Sequence, residues 1–326
     1  MGKILVTGAL GQIGSELTPA LRASHGADNV VASDIRIGPG QPLDRNGPFE
    51  VVDCTRISQL SRVVRRHDVR TIYHLAALLS AVAEEKPHVA WDINMGGLYR
   101  VLEVARQARC AVFHPSSIGA FGPSTPRNRT PQDTIQRPTT MYGVTKVAGE
   151  LLCDYYHHRF GVDTRGVRFP GLISHVQLPG GGTTDFAVEM FYAAIRHGSY
   201  TCFVRPDTRL DMMYMPDAVK ASMDLMEADA SRLVHRNAFN LTAMNFTAAE
   251  LASAIREEMG TFEVTYDVDP VRQAIADTWP RCVDDSAARA EWDWRPSFDL
   301  PAMTKDMLTH LRDRIGRGAV PGRRDV

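Results

Sequence analysis

Residues 4–14 read "ILVTGALGQIG": an aliphatic, β-branched run that breaks into glycine at positions 8, 11 and 14. The apolar run has the character of a strand buried on both faces, and the residues after Gly14 return to helical spacing. Glycines at a strand-to-helix turn allow the tight bend and let backbone N–H groups approach a pyrophosphate, whose charge also suits the helix N-terminus. Gly8, Leu10, Gly11, Gln12, Ile13 and Gly14 are therefore the candidate phosphate cradle. Asp34, at the end of the next apolar run, lies 20 residues beyond Gly14. A carboxylate at that separation receives the adenosine ribose hydroxyls and repels a 2′-phosphate, which points to NAD rather than NADP. Arg36 leaves an alternative open: it can pair with a 2′-phosphate, stack on adenine, or stand in solvent as a loop charge.

Working outward, short β-branched runs alternate with helical patterns. Strands are expected at 3–8, 29–34, 48–53, 71–76, 111–117 and 163–170, and helices at 12–24, 56–67, 87–108 and 141–160. This alternation predicts an α/β fold of the Rossmann type, a doubly wound parallel sheet, over residues 1–170. Beyond "RFPGLISHVQLPGGG" the rhythm changes. Helices near 184–197, 216–228 and 247–258 alternate with strands near 200–204, 237–241 and 262–267, a smaller α/β substrate lobe spanning 171–326, from which the chain can return to the first sheet. The tryptophans concentrated in the late stretch read as packing.

The 326 residues carry a net charge of −1, without the clustered basic surface that nucleic acid or an anionic membrane requires. Only the terminal "RDRIGRGAVPGRRDV" is locally basic, and it reads as a frayed tail. Cys54, Cys110, Cys153, Cys202 and Cys282 are odd in number and scattered, so neither a disulfide framework nor a zinc site is expected, and a reducing cytoplasm is the simpler home. The chain enters a strand at once, with no charged-then-apolar leader, and no apolar stretch approaches the ~20 residues that span a bilayer.

Residues 138–146, "PTTMYGVTK", place Tyr142 and Lys146 four apart, on one face of a helix that Thr139 and Thr140 would begin and cap. Ser116 and Ser117 close the fifth strand at the sheet edge where ligands of open α/β folds bind. A hydroxyl, a phenol and an ammonium thus converge beside a dinucleotide. A free phenol, with a pKa of ~10, is a poor base at neutral pH, but a nearby cation and a positively charged nicotinamide favour its phenolate. Lys146 can also donate to the nicotinamide ribose. Asp53, at the edge of the third strand, either accepts from the adenine amino group or caps the turn before "TRISQL". Leu75, Ala76 and Ala77 are small or apolar where the chain must pass the cofactor, or simply pack. No metal is called for.

"TGALGQIG", "HLAA", "SSIGAFG" and "YGVTK" resemble the extended branch of the short-chain dehydrogenase/reductase superfamily across the whole first half. In that family the serine five residues before the glycine closing the loop is catalytic, and counting back from Gly122 selects Ser117 over Ser116. The resemblance makes Tyr142 the base and Lys146 its tuning charge, and it assigns Asn94 to the active-site hydrogen-bond network, where the residues alone allow an ordinary mid-helix polar group. The branch also contains sugar-nucleotide epimerases and dehydratases. The second half narrows the choice: "LAALLSA", "PGGGTTDFAVEMF", "DTRLDMMYMPDA" and "VRQAIADTWP" are similar to the short-chain type of L-threonine 3-dehydrogenase, and Phe121 stands where sugar-nucleotide enzymes carry tyrosine. A zwitterionic substrate needs donors for its carboxylate. Gly182, Thr183 and Thr184 can form such a cradle, or the threonines can cap the next helix. Ser80 resembles the family's substrate-contacting serine, or is satisfied by backbone. Trp279 and Asp277 would close the pocket. The resemblance also implies a homodimer through helices 87–108 and 141–160. The competing expectations are an epimerase or dehydratase with the same Ser–Tyr–Lys set, and a non-catalytic NAD sensor. Such sensors commonly lose the tyrosine or lysine that this chain retains.

Overall fold

The strand that carries the glycine loop lies inside the sheet, flanked by a parallel neighbour on each side. In the computed structural model, which describes residues 2–36, 46–177 and 182–316, β1 (Lys3–Thr7) runs parallel to β2 (Val30–Asp34) and to β4 (Val69–His74). With β3 (Phe49–Val51), β5 (Ala111–Phe113) and β7 (Thr164–Arg165), the six-stranded order is β3-β2-β1-β4-β5-β7, all parallel. The order reverses between β1 and β4, and that reversal opens a crevice at the strands' C-terminal ends.

Alternation along β1 shows why the strand is apolar throughout. Ile4 and Val6 face a core with Leu17 and Leu21 of α1 (Gly14–His25), while Leu5 faces a core with Leu60 of α2 (Ile57–His67) and Leu98 of α5 (Gly97–Ala108). A strand covered on both faces has no polar side to show.

Three expected elements are interrupted. The strand expected over 111–117 breaks after Phe113, because Pro115 has no N–H to donate to a ladder; β6 (Ser116–Ser117) then pairs with β8 (Val167–Phe169) in a separate ladder, β12-β8-β6, completed by β12 (Phe239–Asn240). The strand expected over 163–170 divides at Gly166, where a Cβ would lie 2.4 Å from the His114 carbonyl oxygen. The helix expected over 87–108 becomes α4 (Pro87–Trp91) and α5, joined by a π turn at Asp92–Gly96 that carries Asn94. The helix over 141–160 is continuous as α6 (Met141–Phe160), and the short α3 (Ser80–Glu85) precedes α4.

In the second half, α7 (Phe186–His197), β10 (Ser199–Cys202), α8 (Met215–Glu227), α9 (Ala248–Met259) and β14 (Glu263–Tyr266) fall where expected. Additional are β9 (Gly171–Ile173), β11 (Arg209–Tyr214) and β13 (Met244–Thr247), which form their own ladder, and α10 (Pro270–Thr278), α11 (Ser286–Trp292) and α12 (Leu300–Gly316). Phe186, Phe191, Leu251 and Met307 fill one core; Met213, Met215, Ala218, Trp292 and Trp294 join the core behind β1. The basic stretch expected as a frayed tail from Arg312 is instead helical through Gly316, the end of α12, and its remainder lies outside the described residues. Among the described residues no helix is long and apolar enough to cross a membrane.

Candidate active site and dinucleotide cradle

The glycine loop is shaped by close backbone approach. Gly8 has φ +72°, and a Cβ there would lie 2.7 Å from the Ala76 nitrogen, so the loops after β1 and β4 pass in contact. A Cβ on Gly14 would lie 2.3 Å from the Gly8 carbonyl oxygen. Glycine at both positions leaves the bend open to a phosphate. Gly11 N donates to Gly8 O (3.1 Å), the Gln12 carbonyl accepts from Ser15 Oγ (3.1 Å), and Ile13 precedes α1, its carbonyl taking the Leu17 N–H. Asp34 meets the loop directly: Oδ2 accepts from Leu10 N (3.0 Å) and Oδ1 from Ile35 N (2.8 Å). The acid at the end of β2 is therefore held at the mouth of the cradle, where ribose hydroxyls would lie, and Arg36 is exposed beside it. Asp53 is engaged locally. Its Oδ1 accepts from Thr55 Oγ1 (2.6 Å) and Thr55 N (2.9 Å), and Arg56 lies 3.4 Å from Oδ2, contacts that hold its carboxyl below the usual range. The turn-capping alternative is thus the one the geometry displays.

Leu75 N donates to Thr7 O (3.0 Å), and Ala76 and Ala77 continue the passage beside the glycine loop. Asn94 then grips the chain: its Oδ1 accepts from Leu78 N (2.8 Å), while Nδ2 donates to Leu78 O (3.1 Å) and to Thr145 Oγ1 (3.1 Å). It ties the segment before Ser80 to the residue beside Lys146.

Thr140 starts α6 by accepting the Gly143 N–H on Oγ1 (3.1 Å), so Tyr142 sits in the first turn and Lys146 in the next. Ser117 Oγ accepts from Gly119 N (3.1 Å). A Cβ on Gly119 would lie 3.3 Å from Tyr142 Cδ1 and 3.5 Å from Ser117 Oγ, so that glycine keeps open the space between hydroxyl and phenol. Lys146 is 5% exposed; its Nζ lies 5.3 Å from the Tyr142 ring centroid and donates to the Pro115 carbonyl (2.8 Å). The three expected catalytic residues are brought together. Without the nicotinamide's charge, burial dominates their ionisation. Burial pushes the Tyr142 phenol up to about 12, against the pull of the Ser117 hydroxyl, and lowers Lys146 to about 8, against the pull of Glu150. In the protein alone the phenol is therefore protonated at neutral pH.

On the substrate side, Ser80 opens α3, which is tied to the catalytic helix by the Glu84 carboxylate accepting from Met141 N (2.6 Å). Neither Thr183 nor Thr184 caps α7. Asp185 precedes that helix, and its carboxylate accepts from Gly182 N (2.6 Å). Thr183 is buried, and Thr184 packs against Gly171 of β9. Gly180 and Gly181, which lead into the expected cradle, lie outside the described residues. Trp279 is buried at the end of α10, its carbonyl accepting from Arg127 Nε (3.2 Å) on the loop after Ser117. Asp277 instead pairs with Arg205 (2.9 Å).

The sequence reading passed over the buried pair behind the trio. Glu150 and Arg168 meet through Nη2–Oε2 (2.8 Å) and Nε–Oε1 (3.0 Å), and Ser116, set aside in favour of Ser117, donates its hydroxyl to Glu150 Oε1. The available signal was spacing: Glu150 continues the four-residue interval of Tyr142 and Lys146.

The NAD dependent epimerase/dehydratase family matches residues 4–241, and the chain belongs to that family, the extended branch of the short-chain dehydrogenase/reductases; its cofactor is NAD. Within it, the solved structures that the chain resembles at high identity are threonine dehydrogenases. L-threonine dehydrogenase from Clostridium difficile is 56% identical, with a TM-score of 0.95 over 96% of this chain and 98% of that one. A monomeric L-threonine 3-dehydrogenase from a metagenome is 45% identical, with a TM-score of 0.90 over 95% and 99%. An uncharacterized epimerase/dehydratase of Staphylococcus saprophyticus is 56% identical over 96% of this chain and 98% of its own length.

Proposed function

We propose that this protein oxidises the β-hydroxyl of L-threonine, giving 2-amino-3-oxobutanoate. The observation that carries the reading is the likeness to L-threonine dehydrogenases at 45–56% identity over nearly the whole chain, and the Ser117 hydroxyl and Tyr142 ring, both close to Gly119, with the Lys146 ammonium over that ring, supply the catalytic groups. NAD, when bound, supplies the hydride acceptor and a positive charge near the phenol. The glycine loop would hold its pyrophosphate at the α1 N-terminus, and Asp34 would receive its adenosine ribose. Ser117 orients the substrate hydroxyl. Tyr142 takes the hydroxyl proton as the β-carbon C–H bond breaks and the C=O bond forms, and Lys146 lowers the cost of the phenolate. Asn94 supports this network, and Ser80, Gly182, Thr183, Thr184 and Trp279 surround the amino acid.

The test is NADH formation by purified protein given L-threonine and NAD. Turnover of a UDP- or dTDP-sugar, with none of threonine, would overturn the reading. We further propose a homodimer through α4, α5 and α6, because Trp91, Tyr99, Leu151 and Tyr155 are exposed apolar side chains on those helices. Light scattering at the mass of a single chain, the state of the metagenomic relative, would remove that proposal.

A further inference from the structure

Glu150 and Arg168 form a buried, bidentate ion pair, each at most 7% exposed, with Glu150 on the face of α6 that carries Tyr142 and Lys146. Ion pairs in such places are poor devices for stability, because desolvation offsets their attraction. The pair is also fully engaged. Gln136 Nε2 donates to Glu150 Oε2 (2.8 Å), and Arg168 Nη1 donates to Gln132 O (2.8 Å) and Asn240 Oδ1 (3.0 Å), with its guanidinium 5.0 Å from the Phe121 ring centroid. Through Ser116 the carboxylate touches the residue next to Ser117, and along the helix it lies one turn from Lys146.

The charges define what the pair does. A lone carboxylate at position 150 would neutralise the field of Lys146, and with it the help Lys146 gives a phenolate. A guanidinium locked on that carboxylate opposes it. We propose that Arg168 and Glu150 are positioning residues: the guanidinium held on the carboxylate weakens the hold of Glu150 on the Lys146 ammonium, so that more of that charge acts on Tyr142. This deepens the reaction proposed above and rests on that reading for its substrate.

The other groups facing this cluster do not supply the missing balance. His74 of β4 and His114 after β5 are buried and stacked at 5.8 Å, and burial, reinforced by Lys146, holds both imidazoles neutral. Burial raises the Cys153 thiol on α6 well above its ordinary value, so it too is uncharged. Asp154, a further turn along, accepts from Asn237 (2.8 Å).

The test compares Glu150→Gln, Arg168→Met and the double variant with wild type, reading the acid limb of kcat/KM for threonine against pH. Removing Arg168 leaves a negative charge that opposes the phenolate, so the limb moves up; removing Glu150 leaves a positive charge, so it moves down. Each shift is expected on the order of 0.5–1 pH unit, and the double variant returns to the wild-type position. A merely structural pair would lower activity or stability without shifts of opposite sign, and coincident limbs overturn the proposal. Titrating tyrosinate absorbance of the NAD complexes, with Tyr142→Phe as the blank, reads the same order without threonine, so a wrong substrate does not obscure the result. If Arg168→Met does not fold, the downward shift of Glu150→Gln decides alone, and no shift or an upward one overturns the inference.

Discussion

The two halves of this chain alternate strand and helix in the same way, yet they present function differently. In the first half each site residue stands at the end of its own strand or opens the next helix: the glycine loop after β1, Asp34 closing β2, Ser117 closing β6 and Tyr142 in the first turn of α6. The second half divides along single elements. On β11, Leu210, Met212 and Tyr214 belong to the core shared with α7 and α9, while Met213, pointing the other way, belongs to the core behind β1. The second half thus fills a core of its own and contributes to the core behind β1. Local pattern places the glycine loop, Asp34 and Tyr142 of the first half, whereas packing between distant segments places the core residues of the second.

The largest expected effect tests the chemical side of that contrast. Tyr142→Phe removes one oxygen from a site whose backbone is otherwise unchanged, and turnover should fall roughly 10²–10⁴-fold with NADH affinity retained. Steady-state kinetics beside NADH fluorescence titration make the comparison. Near-normal turnover would place the base elsewhere.

Next in size is a test of the shared core. Trp294 is fully buried in the core behind β1, far along the chain from the strands it supports. Trp294→Ala should cost about 3–5 kcal/mol of stability and weaken NADH binding in the same measurement. Phe191→Ala, in the other core, should cost a similar amount yet leave NADH affinity near wild type under folding conditions. Equal losses of NADH affinity would erase the distinction between the cores.

The contrast also explains what was legible in the sequence. The glycine spacing, Asp34, the Tyr142–Lys146 interval and the first-half helices all follow from period and turn chemistry over a few residues. The break at Pro115, the π turn under Asn94 and the Glu150–Arg168 pair do not, because each depends on a partner far away in sequence: β8 for Ser116, Leu78 and Thr145 for Asn94, and α6 for Arg168. The threonines before α7 had the composition of caps, but Asp185 took the position and its carboxylate turned back to Gly182. Composition allowed either arrangement.

A smaller effect is expected with pH. Burial lowers Lys146 to about 8, so its ammonium is present below that pH and lost above it. Activity that depends on the charge should therefore decline above pH 8, by about tenfold per unit at most. Lys146→Arg, which stays charged, should lose that alkaline limb whatever its effect on the maximum rate. A limb unchanged in the arginine variant would assign it to another group.

The smallest effect tests the side of the comparison where resemblance and geometry part. Asp277 stands beside Trp279 in the segment similar to threonine dehydrogenases, but its carboxylate is held by Arg205 at 2.9 Å and accepts from Gln273 Nε2 at 3.1 Å. With side chains 46% and 41% exposed, the Arg205–Asp277 pair is screened by water. Asp277→Asn should cost about 0–1 kcal/mol in thermal or denaturant unfolding and leave KM for threonine unmoved, because the charge is spent on the lobe's own surface. A rise in KM of tenfold or more at unchanged stability would show that Asp277 leaves Arg205 when substrate binds. The second half would then contribute to the site through a rearranged side chain as well as through packing.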